Sequence, residues 1–361
     1  MKGFTREELL LLAWEKPILA QLEITDRCNQ HCPFCQTGKQ GGTGASDMTL
    51  DQWLTIIPKL KNIGVRRLDY TGRESFTSPY FTELLAYCRE EDFEIKVNTN
   101  GTFAVSGVLP FVDEIIFSVH GLHQVHDHVV GNVGSFAELE VNVERTVRAG
   151  KKASINMLLI KANYHQLLDV FAYFNEKYGI WKFAPSLPIP SLYGSEFSDV
   201  ALTVNRELLM GYMASLRAIP QDKLVLKHGF HSIFLSEPKH YQDNGLLLPN
   251  CAAGKYKLVI DNDGSVYPCN YFKGDQFYCG NILTGDEHDI WKNGKGFQQF
   301  RQLVLDEQIP TECHGCLKKS RCFSGCRAWS TVYQEGGFAN AKDQRCELGS
   351  AFVGSGINHE M

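Results

Sequence analysis

Twelve cysteines are spread unevenly along this 361-residue chain, four in residues 1–250 and eight in residues 251–361. Three of them stand within eight residues as Cys28-x3-Cys32-x2-Cys35. Thiolates so spaced can face one point, whereas structural zinc sites and complete cubane iron–sulfur clusters take four protein ligands. A count of three fits a four-iron cluster with one iron left open for a substrate; a zinc ion completed by His31 or by a distant ligand is the competing reading. A second constellation runs Cys251-x12-Gly264-x4-Cys269, then Cys313-x2-Cys316-x5-Cys322-x3-Cys326, then Cys346. Zinc ribbons also present cysteines in pairs, but they do not call for the x5 and x3 spacings or for a triad far upstream. Cys88, alone in a helical pattern, reads as a small buried apolar side chain.

Thiols serve metals where the compartment keeps them reduced. The only apolar run near the N-terminus, Leu9 to Trp14, is followed at once by Glu15 and Lys16 and is too short for a signal-peptide core. No run approaches the roughly 20 apolar residues of a membrane helix, so the expectation is a soluble, cytoplasmic protein with no membrane partner. Lys and Arg number 36 against 41 Asp and Glu, a net charge of -5. That leaves no basic excess for gripping nucleic-acid phosphates. Hydrophobic residues at 43% supply cores for two or three domains, which excludes disorder as the main state.

The elements that must position these cysteines follow a βα rhythm. Apolar, β-branched runs predict strands at Ile18–Thr25, Arg67–Thr71, Glu94–Thr99, Glu114–Val119, Ala153–Ile160 and Trp181–Pro185. Helical patterns fall at Thr49–Lys61, Pro79–Glu91, Ser135–Ala149 and Tyr164–Tyr178. Strands joined by crossover helices form a parallel sheet, and six repeats make an incomplete barrel. The predicted fold is α/β, a partial (β/α)6 parallel barrel over residues 1–200, with a helical linker over 201–250 that includes a helix at Thr203–Ala218. A small cysteine-rich iron–sulfur domain follows over 251–361, with a hairpin of Lys257–Ile260 and Ser265–Cys269 and a helix near Gly294–Leu305. In parallel folds the reactive loops leave the carboxyl ends of the strands. Thr25–Asp47, Gly72–Ser75, Asn98–Gly101 and Ser118–Gly121 should therefore meet at one mouth.

Cys28-Asn29-Gln30-His31-Cys32-Pro33-Phe34-Cys35, after the first strand of such a barrel, closely resembles the cluster motif of the radical S-adenosylmethionine (radical SAM) enzymes. The resemblance implies that Cys28, Cys32 and Cys35 hold a four-iron, four-sulfur cluster whose open iron is chelated by S-adenosylmethionine. Electron transfer from that cluster then generates a 5′-deoxyadenosyl radical that abstracts hydrogen from a substrate. It also implies that Phe34 lies against the adenine. Thr71-Gly72-Arg73-Glu74-Ser75 sits where the family has Gly-Gly-Glu, which assigns Gly72 and Glu74 to the methionine amino group; the second glycine is here Arg73. Asn98, Asn100 and Ser118 match segments that contact the ribose and the methionine carboxylate. Val130 stands where relatives place an arginine before glycine. His120, His126 and His128 read as solvent-facing loop histidines.

The seven C-terminal cysteines are similar to the SPASM extension of this superfamily. By that resemblance Cys251, Cys269 and Cys326 serve one auxiliary iron–sulfur cluster, and Cys313, Cys316, Cys322 and Cys346 a second. Cys279 is the only unassigned cysteine nearby and is proposed as the fourth ligand of the first, the alternative being an iron left open there. SPASM enzymes mainly modify ribosomally made peptides by crosslinking, epimerisation or oxidation. Others tailor small molecules such as sugars, antibiotics or cofactor precursors, and that is the alternative function; a metal-binding protein without catalysis is the third. Asn270 follows Cys269 where sulfatase maturases carry an aspartate base, which disfavours formylglycine formation. Only 27 residues precede Cys28, so a peptide is expected to dock on the enzyme itself or through a separate recognition protein. A flavodoxin- or ferredoxin-type donor would supply electrons. No catalytic acid or base stands out; Tyr193, Glu196, His228 and His231 lie on segments that could face the mouth.

Overall fold

The computed structural model describes residues 15–35, 42–187, 206–220, 222–225, 242–243, 246–247, 251–305, 310–314, 316, 325–331, 343 and 346. Six strands alternate with helices through the first half: β1 (Leu19–Leu22), β2 (Arg67–Tyr70), β3 (Glu94–Thr99), β4 (Glu114–Ser118), β5 (Lys152–Leu158) and β6 (Phe183–Ser186). Each pairs in parallel with the next, as the crossover pattern predicts. The helices are α1 (Leu50–Asn62), α2 (Phe81–Glu90), α3 (Gln124–Val130), α4 (Ser135–Arg148), α5 (Leu167–Tyr178) and α6 (Arg206–Ala218).

Local chemistry explains the element ends. Thr49 opens α1 with a capping box: its hydroxyl accepts from Gln52 N–H at 3.3 Å and its own N–H donates to Gln52 Oε1 at 2.8 Å. One face of α1, Trp53, Ile56, Ile57 and Leu60, is fully buried against the sheet. The other sheet face carries polar inward positions. Lys96 on β3 pairs with Glu114 on β4 at 3.1 Å, and Ser154 on β5 donates to Glu114 at 2.5 Å. A strand with Leu68 and Tyr70 buried but Arg67 and Asp69 paired on the opposite face is therefore two-sided, not uniformly apolar.

A short antiparallel pair, β7 (Gln242–Asp243) and β8 (Leu246–Leu247), stands apart. The predicted hairpin forms as β9 (Lys257–Ile260) and β10 (Ser265–Tyr267), and β11 (Gly280–Asn281) adds to it. It does not stand off as a separate sheet. β9 pairs in parallel with β1, Leu19 opposite Lys257 through Leu22 opposite Ile260, giving one nine-stranded sheet in the order β11-β10-β9-β1-β2-β3-β4-β5-β6. The edge that β1 would otherwise leave open is thereby covered. At the far side Leu224 bridges Phe183 of β6. Two helices follow the hairpin, α7 (Glu287–Asn293) and α8 (Lys295–Leu305), and a short α9 (Arg327–Thr331) starts one residue beyond Cys326. Among the described residues no helix is long and apolar enough to cross a membrane.

Candidate active site

Cys28, Cys32 and Cys35 lie on the loop that leaves β1, each half-buried. That loop is held by residues of three neighbouring segments. Asp47 receives Thr25 Oγ1 at 2.6 Å, Asp26 N–H at 3.1 Å and Asn262 Nδ2 at 2.9 Å, which ties the loop's start to the β9–β10 turn. Asn29, between the first two cysteines, accepts from Asn100 Nδ2 at 2.7 Å and donates to Thr102 Oγ1 at 2.8 Å, which ties it to the loop after β3. Glu74 N–H donates to Arg27 O at 3.1 Å, joining it to the loop after β2. The mouth expected from strand order is thus assembled by side-chain and backbone bonds between loops.

The thiols sense one another. Burial pushes the Cys32 thiol up to about 12, and the neighbouring Cys35 and Cys28 add to the shift. Burial also raises Cys28; Glu74 and Cys35 reinforce it, while the Gln30 backbone N–H and the Arg73 guanidinium oppose it. Three thiols that repel as thiolates suit a cationic metal core that deprotonates and neutralises them. Among the described residues no three His, Cys, Asp or Glu side chains stand close enough to hold a single metal ion; a cluster, being larger, spans thiolates that one ion does not. The donor set fits a cluster.

Around the thiols the cofactor positions separate into exposed and engaged groups. Phe34, 9% exposed, meets the His120 ring edge-on at 4.7 Å between centroids. Gly72 is exposed and takes φ +97°, and a Cβ there would lie 2.7 Å from Glu23 Oε2, so glycine is required. Glu74 is 1% exposed: its carboxylate accepts Asn100 N–H at 2.7 Å, Phe76 N–H at 3.2 Å and Thr99 Oγ1 at 3.0 Å. Burial lifts it to about 7, with those same donors pulling it back. Asn98 donates to Tyr70 O at 3.0 Å, Asn100 is buried, and Ser118 sits at the end of β4 opposite Asn156 of β5.

His120 and His126 are not solvent-facing. They are 5% and 0% exposed, because the unforeseen helix α3 folds residues 124–130 back over the cluster loop and stacks His126 on His120 at 6.1 Å. His128, on the outer side of that helix, is exposed as expected. Asp47, Asn29, Gln30 and Ser135 were invisible to motif reasoning. For Asn29, Gln30 and Asp47 the one available signal is their place inside or beside the cysteine loop, whereas Ser135, 105 positions from Gln30, carries none.

In the C-terminal region burial raises the Cys269 thiol first of all, Lys257 opposes that rise, and Cys251 lies close enough to add to it. Asp343, 1% exposed, accepts Cys326 N–H at 2.9 Å through its side chain and Cys346 N–H at 2.9 Å through its carbonyl. Gly325, at φ +82°, makes room for it. Cys313 is buried and Cys316 exposed, with Cys316 N–H on Cys313 O at 3.2 Å. Cys279 is 8% exposed, its thiol 3.4 Å from Phe277 O; burial pushes it to about 12 against the N–H groups of Phe297 and Gly296 and the charge of Arg301. Cys88 is fully buried on α2, 3.1 Å from Tyr70 Oη, as its apolar reading expects. Cys322, Tyr193, Glu196, His228 and His231 lie outside the described residues.

A partial parallel barrel with a three-cysteine loop at its mouth and further cysteine sites on an attached hairpin defines an iron–sulfur enzyme. Over residues 22–174 the sequence matches the profile of the Radical SAM superfamily, and over residues 251–317 that of SPASM, an iron-sulfur cluster-binding domain. The chain belongs to the radical SAM superfamily and carries a SPASM domain. It is 28% identical over 324 residues to the mycofactocin maturase MftC of Mycobacterium ulcerans, covering 87% of this chain and 84% of the relative. It is 22% identical to the AdoMet-dependent heme synthase of Nitratidesulfovibrio vulgaris, covering 93% and 91%. The fold superposes on Streptococcus suis SuiB bound to precursor peptide SuiA with a TM-score of 0.70 at 17% identity, covering 92% of this chain and 76% of that one. The protein is an enzyme that uses a four-iron, four-sulfur cluster, S-adenosylmethionine and two auxiliary iron–sulfur clusters. When bound, the first cluster and S-adenosylmethionine would supply reductive cleavage of the sulfonium to a 5′-deoxyadenosyl radical for C–H abstraction.

Proposed function

We propose that this enzyme oxidatively modifies a ribosomally synthesised peptide, and that Cys28, Cys32 and Cys35 hold the cofactor-binding cluster. The observation that supports the ligand assignment is that the three thiols share one loop pinned to its neighbours by Asp47, Asn29 and Glu74, with Cys35 near enough to disfavour the Cys28 and Cys32 thiolates. Phe34 faces the adenine, and Asn98, Asn100 and Ser118 line the ribose and methionine side. Gly72 and Glu74 serve the amino end, Glu74 acting chiefly by holding the loops after β2 and β3 together, since its own carboxylate is spent on protein donors. Cys251, Cys269 and Cys326, with Cys279 as fourth ligand, hold one auxiliary cluster; Cys313, Cys316, Cys322 and Cys346 hold the other. Residues 1–200, 201–250 and 251–361 divide the work between barrel, linker and cluster domain.

A peptide substrate is favoured by the maturase relative and by the fold neighbour seen with a precursor peptide. The heme synthase relative supports the second reading, a small-molecule tailoring enzyme. A flavodoxin- or ferredoxin-type protein would deliver electrons, and a separate recognition protein could present the peptide. The reading places the enzyme in the cytoplasm, where thiols stay reduced.

Anaerobically reconstituted, reduced enzyme should convert S-adenosylmethionine to 5′-deoxyadenosine, and the Cys28/Cys32/Cys35→Ala triple variant should not; equal activity would refute the cluster assignment. Deuterium transfer from labelled peptide into deoxyadenosine, followed by mass spectrometry, tests the substrate class. For Cys279, a Cys279→Ala variant with undiminished iron and sulfide and an unchanged spectrum would remove it from the ligand set.

A further inference from the structure

Gln30 lies between Cys28 and Cys32 and is 6% exposed. With Cys32 protonated, Cys32 Sγ donates to Gln30 Oε1 at 3.6 Å and Gln30 Nε2 donates to Ser135 Oγ at 2.8 Å. Ser135 Oγ stands 3.4 Å from His126 Nε2, and His126 Nδ1 accepts the backbone N–H of His120 at 3.1 Å. Ser135 and His126 are 1% and 0% exposed, so each link in this chain depends on the next rather than on solvent.

The sense of the chain is fixed at one end. A backbone N–H only donates, so Nδ1 of neutral His126 carries no proton and Nε2 does. Nε2–H therefore points at Ser135 Oγ, whose single proton is left to go toward Gln30. At the other end, a cluster-ligating Cys32 is a thiolate and only accepts. The amide carbonyl that suits a thiol would then set acceptor against acceptor. Turning the terminal amide over exchanges its oxygen and nitrogen at almost no change in shape. Every group is then satisfied in one direction: His120 N–H to His126, His126 Nε2–H to Ser135, Ser135 O–H to Gln30 Oε1, and Gln30 Nε2–H to Cys32 Sγ.

We propose that Gln30, oriented by Ser135 and His126, donates an N–H hydrogen bond to the Cys32 thiolate and thereby raises the reduction potential of the S-adenosylmethionine-binding cluster. The physical reason is that reduction adds one electron, from an external reductant, and no proton. A donor aimed at a ligand sulfur stabilises the more negative state. Gln30 is thus a positioning residue acting on the cluster through its ligand, and the inference rests on Cys32 being that ligand.

The test is a dithionite-poised redox titration of reconstituted holoenzyme without S-adenosylmethionine, following the electron paramagnetic resonance signal that later addition of the cofactor perturbs. At a fixed potential, Gln30→Leu and Gln30→Glu should lower the ratio of reduced to oxidised cluster at least tenfold, about 59 mV for a one-electron couple. Ser135→Ala should move it the same way by less. Unchanged midpoints in both Gln30 variants at full iron content overturn the proposal. Should either variant lose its cluster, pulsed measurements on wild-type enzyme labelled with 15N-glutamine decide: coupling of a glutamine side-chain nitrogen to the reduced cluster supports the bond, and its absence overturns it. Absence of any cofactor-responsive signal in the wild type would instead sink the ligand assignment on which the inference stands.

Discussion

At the scale of single residues, burial decides which side chains act by being charged and which by being neutral. His120 and His126 are pressed down to about 3 and about 4, first because burial strips the imidazolium of water; the facing His126 adds to the effect on His120, while Asp127 opposes it on His126. Their ordinary value is 6.5. As pH falls below that value the unfolded chain takes up protons that the fold refuses. Stability is full above about pH 6.5 and declines toward pH 4, by up to about 1.4 kcal/mol per unit for each ring. Urea unfolding of the apoprotein at pH 7.5 and 5.0 should show this loss, and His126→Gln should flatten the slope; identical slopes would mean that the rings are not buried neutral. Glu74 illustrates a different use of burial, since its three donors come from the loops after β2 and β3. Glu74→Ala would leave these donors buried without an acceptor, a penalty of about 1–3 kcal/mol for each fully orphaned group. The loss should appear in thermal unfolding of the apoprotein, before any cofactor is added.

At the scale of elements, the join between β1 and β9 is where barrel and hairpin become one sheet, and an ion network sits at its end. Lys273 Nζ is 2.9 Å from both Glu23 Oε2 and Asp261 Oδ2, Glu23 following β1 and Asp261 following β9. Glu23 is raised mainly by burial and restrained by Lys273, and Lys273 is raised by the two carboxylates against its own burial. Lys273→Met would leave two neighbouring carboxylates, one of them buried, without the cation between them. Breaking a buried pair from one side costs about 3–5 kcal/mol. Chemical denaturation should show a loss of that order, and the Glu23→Gln/Lys273→Met double variant should recover part of it. Full additivity of the two single variants would show that the groups are not coupled. A reader of the sequence could place both strands but not this pairing, because parallel partners 238 positions apart leave no local signature.

At the scale of the whole molecule, the hairpin is part of the barrel's own sheet. Leu258, Val259 and Ile260 are buried against it, and the Asn262 side chain reaches Ser46 and Asp47 beneath the cluster loop. A chain ending at residue 250 would expose the β1 edge and lose these contacts. Expressed alone, residues 1–250 should aggregate or unfold without cooperativity; a monodisperse fragment with a sharp transition would mean that the barrel stands without its hairpin. The same continuity sets the Cys251 and Cys269 pair on the sheet that carries the first cluster loop.

The residue pattern by itself determined the chemistry class and the parallel strand order, because cysteine spacing and the alternation of strands with helices are local properties of the chain. Cys28, Cys32, Cys35 and the seven downstream cysteines can be read without knowing any contact. Glu74 could be singled out from its motif, but not that its carboxylate would be consumed by Thr99, Asn100 and Phe76. Burial of His120 and His126, the seat of Gln30 against Ser135, and the fusion of the C-terminal hairpin to β1 were decided by tertiary structure alone. Each depends on groups far apart in sequence, and hydrogen-bond direction and desolvation exist only once those groups have met.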